Sequence, residues 1–264
     1  MDARPIGIFD SSSGGLTIFQ SIREMLPYES IVYVGDHAHI PYSTKSESFI
    51  RERGVAIIKF LLEKHVKLIV VACNTATVAG IEYYRKMFPH LPIVGVVPVI
   101  KTAAVVSKNR SFAVFSTVFT KESAYQKKLI ETFASDCEVY TIGNSELIGL
   151  IEDEKDSTEK IEAVLAQSLG SLKHTAIDTL ILGCTHFPLI QSLIKKIVGD
   201  AITILDSGKA VATQVARIVQ AEHLENSKKM KPTDIFFTTG NPHIVAKVIQ
   251  RYLGTTRVVK SISG

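Results

Sequence analysis

Short apolar runs alternate with amphipathic helical stretches from one end of this chain to the other. The runs are nearly continuous in apolar residues, which is typical of strands buried on both faces of a parallel sheet. Parallel strands need crossover connections, and the intervening stretches have the pattern of helices. The sequence therefore predicts an α/β fold in which mostly parallel sheets are flanked by helices.

The predicted elements follow directly from this alternation. We expect strands at Ile6–Phe9, Ser30–Val34, Lys67–Ala72, Ile93–Val97, Ser111–Phe115, Glu138–Thr141, Thr179–Gly183, Ile202–Asp206 and Asp234–Thr238. We expect helices over stretches such as Ser46–Lys64, Thr75–Met87, Lys121–Ala134, Lys160–Leu172 and Pro188–Val198. In open sheets of this kind, ligands bind at the carboxyl ends of the strands.

The chain also repeats itself loosely, which predicts two related domains. The segment 8–11 (Ile-Phe-Asp-Ser) opens the first half, and 114–117 (Val-Phe-Ser-Thr) opens a second unit. The strand Asp234–Thr238 has no unit of its own, so we expect the end of the chain to return to the first unit. The predicted domains are residues 1–97 with 207–264, which carry Cys73, and residues 98–206, which carry Cys184.

Composition and charge narrow the class of protein. Hydrophobic residues make up 46% of the 264 residues and charged residues 21%, which is ordinary for a soluble globular protein. No run of about 18 apolar residues occurs, so we expect no transmembrane helix. No long apolar segment follows Met1–Pro5, so we expect no signal peptide.

Charge and cysteine content exclude two further classes of protein. The formal charge is only +4, and the dense basic cluster Lys228–Lys231 lacks interleaved aromatic residues. We therefore expect a solvated loop there and no direct nucleic-acid partner. Three cysteines are too few, and odd in number, for a disulfide framework, which favours a reducing cytoplasm.

Two cysteines stand in matching contexts. Cys73 ends an apolar run and precedes Asn74, while Cys184 ends another apolar run and precedes Thr185. We expect each thiol where a strand ends and a helix begins, a position that favours a thiolate and also seats a carboxylate ligand. Two thiols at two similar strand ends suggest one acid and one base acting on one substrate.

Other interpretations of the cysteines stay open at this point. Both thiols could be buried core residues, since cysteine is among the most buried residue types. A redox pair is disfavoured because no Cys-x-x-Cys occurs, and zinc is disfavoured because further ligands would come from scattered positions. The third cysteine, Cys137, has no special context, and we expect it to be structural.

Polar residues gather near other strand ends. The turn that follows Asp10 is rich in hydroxyls and glycine, but it is neither a P-loop nor a dinucleotide-binding motif. In the loop 35–43, His37 and His39 are more typical of surface residues than of metal ligands. Tyr42 and Ser43 of this loop are plausible substrate donors. Glu152 begins the acidic loop 152–156, which we expect to be a solvated surface run; only this first carboxylate, directly after apolar residues, could point inward.

Five of these segments together resemble the glutamate racemases of the cofactor-independent aspartate/glutamate racemase superfamily. They are the motifs at 9–16, 35–42, 71–76, 183–189 and 206–208, and the resemblance covers nearly the whole chain. It implies two α/β domains with the active site at their interface. It also implies a cytoplasmic bacterial enzyme that supplies D-glutamate for peptidoglycan synthesis, without cofactor or metal, and a possible homodimer.

The resemblance assigns roles residue by residue. Cys73 and Cys184 correspond to the two catalytic acid/base thiols, Asp10 and His186 to their helpers, and Asp36 and Glu152 to further catalytic acidic residues. The substrate-binding positions correspond to Asp10, Ser11, Tyr42, Ser43, Asn74, Thr75, Thr185 and His186.

This chain departs from the family pattern at several turns. Glycines that the family usually has are replaced by Ser12 and Ser43, and the usual Cys-Pro-x-Phe is replaced by 144–147 (Asn-Ser-Glu-Leu). His39 stands where an arginine is usual, and Ser116 where a glycine is usual. These departures keep two alternatives in view: a racemase of another acidic amino acid such as aspartate, and a non-catalytic binding protein, for instance one that contacts DNA gyrase.

Overall fold

The computed structural model describes residues 2–153, 157–226 and 232–262, so the basic cluster Lys228–Lys231 lies outside the described residues. Strands and helices are numbered in chain order. The strands are β1 (Ile6–Asp10), β2 (Ile31–Gly35), β3 (Leu68–Val71), β4 (Ile93–Gly95), β5 (Ser111–Ser116), β6 (Glu138–Gly143), β7 (Thr179–Gly183), β8 (Thr203–Leu205), β9 (Asp234–Thr238) and β10 (Val259–Ser261).

The α-helices connect these strands. They are α1 (Leu16–Met25), α2 (Glu47–Glu63), α3 (Asn74–Met87), α4 (Ile100–Val106), α5 (Val118–Glu122), α6 (Ala124–Phe133), α7 (Glu146–Glu152), α8 (Thr158–Leu169), α9 (Gln191–Val198), α10 (Gly208–Ala221) and α11 (Pro242–Leu253). None of the described helices is long and apolar enough to cross a membrane.

The chain divides into two compact units, Met1–Val96 with Gly208–Gly264, and Val97–Ser207. The described residues of the first unit form a parallel sheet with strand order β10-β9-β2-β1-β3-β4. Those of the second form a parallel sheet with order β6-β5-β7-β8. The predicted α/β fold with parallel sheets flanked by helices is confirmed.

The two sheets share one internal order. In the first, β1 lies between β2 and β3, and β4 follows β3; in the second, β5 lies between β6 and β7, and β8 follows β7. Strands β3 and β7 therefore occupy equivalent places. Cys73 follows the first of them and Cys184 follows the second.

Continuous burial explains why the apolar runs form strands. Every residue of β1, β2, β3 and β7 is buried. Burying one large aliphatic or aromatic side chain contributes about 1.5–3 kcal/mol, so these strands form the centre of each core. Each predicted strand is present, with its ends shifted by at most two residues. The edge strand β10 was missed because it is short and partly polar.

Helix ends deviate more from the predictions. The predicted helix Lys121–Ala134 is two helices, because Ser123 adopts an extended backbone and its side chain caps α6 by accepting from the Gln126 N–H. The predicted helix Lys160–Leu172 begins at Thr158, after the capping side chain of Ser157, and continues past Leu169 as a 3₁₀ helix.

The amino ends of the first sheet are held by a buried ion pair. Lys67 Nζ lies 2.5 Å from Glu29 Oε2 and also donates to the backbone carbonyls of Asp2 and Leu224. All three donors of this ammonium are thereby used, which offsets the cost of burying its charge. The residues of the candidate site lie at the opposite, carboxyl ends of the strands.

Candidate active site

Cys73 is the N-cap residue of α3. Strand β3 ends at Val71, and the Cys73 sulfur accepts a hydrogen bond from the Ala76 N–H at 3.4 Å. The thiol thus occupies the position that serine or asparagine usually fills at the start of a helix. Backbone N–H groups and the helix dipole stabilise negative charge at this point. The predicted position of Cys73, between a strand and the first turn of a helix, is what the structure shows.

Ser11 lies between Cys73 and Asp10. The sulfur of Cys73 is 3.6 Å from Ser11 Oγ, which in turn is 3.5 Å from Asp10 Oδ1. This contact arises from the parallel pairing of β1 with β3, since it brings the residues after both strands to the same edge of the sheet. Cys73 and Asp10 are both buried, at 6% and 0% exposure. The structure thus brings a thiol, a hydroxyl and a carboxylate together.

Asp36 is the centre of a buried hydrogen-bond network. Its carboxylate accepts from Nε and Nη2 on one edge of the Arg53 guanidinium, from Tyr42 Oη at 2.6 Å, and from the side chains of His39 and Thr239. Burial opposes its charge, but the hydrogen bonds from Arg53, Tyr42 and His39 outweigh burial and hold the pKa of Asp36 below its ordinary value. A carboxylate in this state orients its neighbours and is not poised to exchange protons.

Two donors near Cys73 have no hydrogen-bond partner in the structure. Asn74 Nδ2 and Ser43 Oγ are both buried and unpaired. An unpaired buried polar atom costs about 1–3 kcal/mol, which a bound ligand can recover. Thr75, also buried, follows Asn74 in the first turn of α3.

Tyr42 lies in the same surroundings. Its hydroxyl is buried, and burial together with the Asp36 charge raises its pKa far above the ordinary value. Cys73 is a further cause of that shift, which places Tyr42 near the thiol. These polar groups therefore form one half-site within the first unit.

Cys184 stands at the start of a turn rather than in the first turn of an α-helix. The Phe187 N–H donates to the Cys184 carbonyl at 3.1 Å, a 3₁₀ helix spans Phe187–Ile190, and α9 begins only at Gln191. The predicted helix Pro188–Val198 was thus too long at its start. Proline lacks an N–H and constrains its predecessor, while Phe187 is held by stacking on Phe115 with ring centroids 4.3 Å apart.

Cys184, His186 and Glu152 form a hydrogen-bonded chain. His186 Nδ1 is 3.8 Å from the Cys184 sulfur, and Nε2 is 2.9 Å from Glu152 Oε1. The ring is 1% exposed. Burial opposes its charge, but the hydrogen bonds to Cys184 and Glu152 outweigh burial and hold the pKa of His186 well above its ordinary value. An imidazolium fixed between a thiol and a carboxylate can hold and orient a proton beside the sulfur.

Glu152 is the last residue of α7, not the start of a loop, and its side chain points inward to His186. The chain before α7 departs from the family pattern, yet Asn144 Oδ1 accepts from the Leu147 N–H at 3.0 Å and so satisfies a donor at the helix start. Thr185, between Cys184 and His186, is buried. Residues 154–156 of the acidic stretch lie outside the described residues.

Two buried hydroxyls in the second unit, those of Thr117 and Thr120, were not predicted from the sequence. Ser116 pairs in register with Gly183, so Thr117 follows β5 at the level where Cys184 follows β7. Thr117 Oγ1 donates to Thr120 Oγ1 at 3.0 Å, and both residues are buried. The sequence could have indicated Thr117, because it directly follows a buried parallel strand, as Cys184 does.

His37 and His39 were expected to be surface residues, and this prediction was wrong. Both are partly buried and hydrogen-bonded, His39 to Asp36 and His37 to the side chains of Ser13 and Thr238. Their nitrogens serve the protein's own network. Across the described ranges, no group of three or more His, Cys, Asp or Glu residues is arranged to hold a metal ion.

Comparison with known proteins gives a consistent result. A family model described as Asp/Glu/Hydantoin racemase matches residues 6–215. The glutamate racemase of Stutzerimonas stutzeri is 38% identical over 258 residues, which cover 98% of this chain and 97% of that protein.

Solved structures agree with this assignment. The glutamate racemase isoform RacE1 of Bacillus anthracis superposes with a TM-score of 0.93 at 32% identity, covering 100% of this chain and 98% of that one. The Escherichia coli glutamate racemase, solved with L-glutamate and the activator UDP-MurNAc-ala, gives 0.86 at 33% identity, covering 98% of each chain. With its fold, its paired thiols and these relatives, the chain belongs to the Asp/Glu/Hydantoin racemase family.

Proposed function

We propose that the protein is an amino-acid racemase that interconverts L- and D-glutamate by proton transfer between two thiols. The observation that carries the proposal is the pair of buried cysteine thiols, Cys73 and Cys184, at the ends of equivalent strands. Each thiol has its own hydrogen-bonded helper. Relatives that match along nearly the whole chain are glutamate racemases, and one of them was solved with L-glutamate.

The reaction is a 1,1-proton transfer at the α-carbon. The thiolate of one cysteine removes the α-proton from one face, and the thiol of the other delivers its own proton to the opposite face. The first cysteine ends protonated and the second ends as a thiolate, so the protons balance. The reverse direction exchanges the two roles. The mechanism requires Cys73 and Cys184 to reach opposite faces of the same α-carbon.

The helpers act differently at the two thiols. His186, held protonated between Cys184 and Glu152, orients the sulfur and compensates charge as the proton moves. At Cys73 the contact runs through Ser11 to Asp10, so this carboxylate orients the thiol through a hydroxyl. Asp36 acts at one further remove, by fixing Tyr42 and the loop that carries Ser43.

The carboxylates of the substrate need hydrogen-bond donors, and the best candidates are donors that have no acceptor within the protein. Asn74 Nδ2 and Ser43 Oγ meet that need, because both are buried without a partner. We assign further substrate contacts to backbone N–H groups at the start of α3 and to the hydroxyls of Ser11, Thr75 and Thr185, which also have partners within the protein. Donors aimed at the α-carboxylate also stabilise the carbanion-like charge that develops when the α-proton leaves.

This chemistry needs neither pyridoxal phosphate nor a metal ion, because the acid, the base and the donors are side chains of the protein. In the cell we propose a cytoplasmic enzyme that supplies D-glutamate for peptidoglycan synthesis, with glutamate as its small-molecule partner.

The test is a circular-dichroism assay of D- and L-glutamate interconversion with no added cofactor and with a chelator present. Racemisation in deuterated water should place deuterium at Cα. Cys73→Ala and Cys184→Ala should each lower turnover by about 10³-fold or more. Cys137→Ala is the matched control, because Cys137 lies after α6, away from the carboxyl ends of the strands, and should keep full turnover. Substantial activity in either site variant would contradict the two-thiol mechanism.

Ser43 and Ser12 stand where the family usually has glycine, so the same assay should be run with L-aspartate. Faster turnover of aspartate would support a racemase of another acidic amino acid. A folded protein that racemises neither substrate would favour a non-catalytic binding role.

A further inference from the structure

The imidazole of His37 joins the ends of three neighbouring strands. Its Nε2 atom is 2.9 Å from Ser13 Oγ, in the turn after β1. Its Nδ1 atom is 2.9 Å from Thr238 Oγ1, at the end of β9, and 3.0 Å from the carbonyl of Gly35, at the end of β2. One ring therefore connects the turn that follows Asp10 to the ends of β2 and β9.

The partners determine the tautomer of this ring. A carbonyl oxygen only accepts hydrogen bonds, so the contact with Gly35 places the proton on Nδ1. In the neutral ring, Nε2 then accepts a hydrogen bond from the Ser13 hydroxyl. Thr238 Oγ1, which also accepts from the Gly240 N–H at 2.9 Å, completes the arrangement.

The ring is seated directly against the backbone. A Cβ atom at Gly35 would overlap the His37 ring, and one at Gly240 would lie 2.8 Å from the His37 Cβ. Two glycines thus make room for this side chain, so its position is well defined by packing as well as by hydrogen bonds. The neighbouring Asp36 carboxylate is occupied by its own donors.

Ser13 belongs to the same turn as Ser11, and this turn directly follows Asp10 at the end of β1. Within this turn the Ser12 N–H donates to Asp10 Oδ1 at 2.8 Å, and the Ser12 carbonyl accepts from Tyr33 at 2.8 Å. These bonds, with the one from Ser13 to His37, are short. The contacts that reach Cys73 through Ser11 are longer, at 3.5–3.6 Å, and so depend on where the turn is held.

We propose that His37 is a positioning residue of the racemisation: it holds the turn of Asp10 and Ser11 in register with Cys73. The inference rests on the proposed function, since Cys73 is taken as one of its two thiols. The role proposed for His37 is indirect, through Ser13 and the turn that carries Ser11. A displacement of about 1 Å near reacting groups can cost 10²-fold in rate, so a residue that sets the turn can control turnover.

Two conservative substitutions separate the proposal from a general packing role. In His37→Gln the amide reaches the position of Nε2 and can still bond Ser13; in His37→Asn the amide reaches only the position of Nδ1. We expect His37→Asn to lower kcat by about tenfold or more with little change in KM, and His37→Gln to restore most of it. Ser13→Ala should reproduce the loss, and combining it with His37→Asn should add little.

A second measurement reports the reactivity of the Cys73 thiol and does not depend on turnover. Alkylation of each thiol by iodoacetamide, followed by mass spectrometry over a range of pH, reports Cys73 and Cys184 separately. His37→Asn and Ser13→Ala should change the rate and pH profile at Cys73 and leave Cys184 unchanged. If His37→Asn does not fold, the smaller change Ser13→Ala carries the test.

The outcomes distinguish the proposed function from the positioning role of His37. A wild-type protein without racemase activity would defeat the proposed function, while the alkylation profiles would still test the link from His37 to Cys73. An active wild type whose folded variants keep full kcat and an unchanged Cys73 profile would overturn the positioning role. Equal losses in His37→Gln and His37→Asn would overturn it as well, since they would indicate packing alone.

Discussion

The Nε2 atom of His186 lies 2.9 Å from the Oε1 atom of Glu152, on the side of the ring away from Cys184. The imidazole therefore lies between the carboxylate and the thiol. This relationship makes the protonation of one histidine depend on a residue at the end of a separate helix, α7.

Glu152→Gln should lower racemisation about 10- to 100-fold, because general acid–base groups contribute about 10²–10⁴-fold and Gln keeps the hydrogen bond but not the charge. With the carboxylate removed, the pKa of His186 should fall, which NMR titration of the ring would show. Glu162→Gln removes a carboxylate that pairs with Lys196 on the surface and is the control. An unchanged His186 titration in Glu152→Gln would contradict the hydrogen-bonded link from Cys184 through His186 to Glu152.

Stability should decrease as the pH rises above neutrality. The pKa of His186 is raised in the folded state, so its stabilising contribution is fully present below the unfolded value of about 6.5 and is lost as the pH passes through the folded value. Each pH unit in that range removes up to about 1.4 kcal/mol. Urea unfolding at a series of pH values measures this slope.

His186→Gln should flatten that dependence, while His243→Gln, at an exposed position in α11, should leave it as in the wild type. A slope that persists in His186→Gln would assign the effect to another group.

Asp36→Asn should destabilise the protein by about 3–5 kcal/mol, because it leaves Arg53 without the charge that offsets its burial. Glu47→Gln, in the exposed pair with Arg51 on α2, should cost less than about 1 kcal/mol. Urea or thermal unfolding of both variants measures the difference. Equal stabilities would show that the Asp36 network is not a structural centre.

Ser43→Ala should separate binding from stability. Removing an unpaired buried hydroxyl should leave the free energy of unfolding unchanged or slightly raise it, whereas KM for glutamate should rise several-fold as a substrate donor is lost. Ser46→Ala should show the reverse: it removes the N-cap of α2, costs about 1 kcal/mol and leaves KM unchanged. A loss of stability without a change in KM in Ser43→Ala would remove this hydroxyl from the substrate site.

The strands and the cysteine positions could be predicted because continuous β-branched and aliphatic runs leave few alternatives. A polar residue directly after such a run must also lie at the ligand-binding edge of the sheet. Cys73, with Asn74 behind it, follows this rule fully. For Cys184 the rule predicts the end of the strand but not the start of a helix. Pro188 and the stacking of Phe187 on Phe115 produce a turn where the helix was predicted to begin.

Other parts of the site depend on contacts that no local pattern reveals. Asp36 is bonded by Arg53, 17 positions later on a helix, and by Thr239, 203 positions later at the end of β9. The position of the Ser11 hydroxyl between Cys73 and Asp10 likewise depends on the directions of side chains at a strand end. These relationships appear only once the sheet order is known.

The equivalence of β3 and β7 has a kinetic consequence. Two thiols at matching strand ends look interchangeable, but Cys184 reaches its carboxylate through an imidazole and Cys73 reaches its carboxylate through a hydroxyl. A catalyst of this kind leaves each turnover with its proton on the other sulfur. Under the proposed two-thiol mechanism, the free enzyme that has just released D-glutamate differs from the one that bound L-glutamate, and water must restore the first form before the next cycle in the same direction. At high substrate, that recovery rather than the chemistry can set the rate, and unequal helpers would make it differ between the two enantiomers.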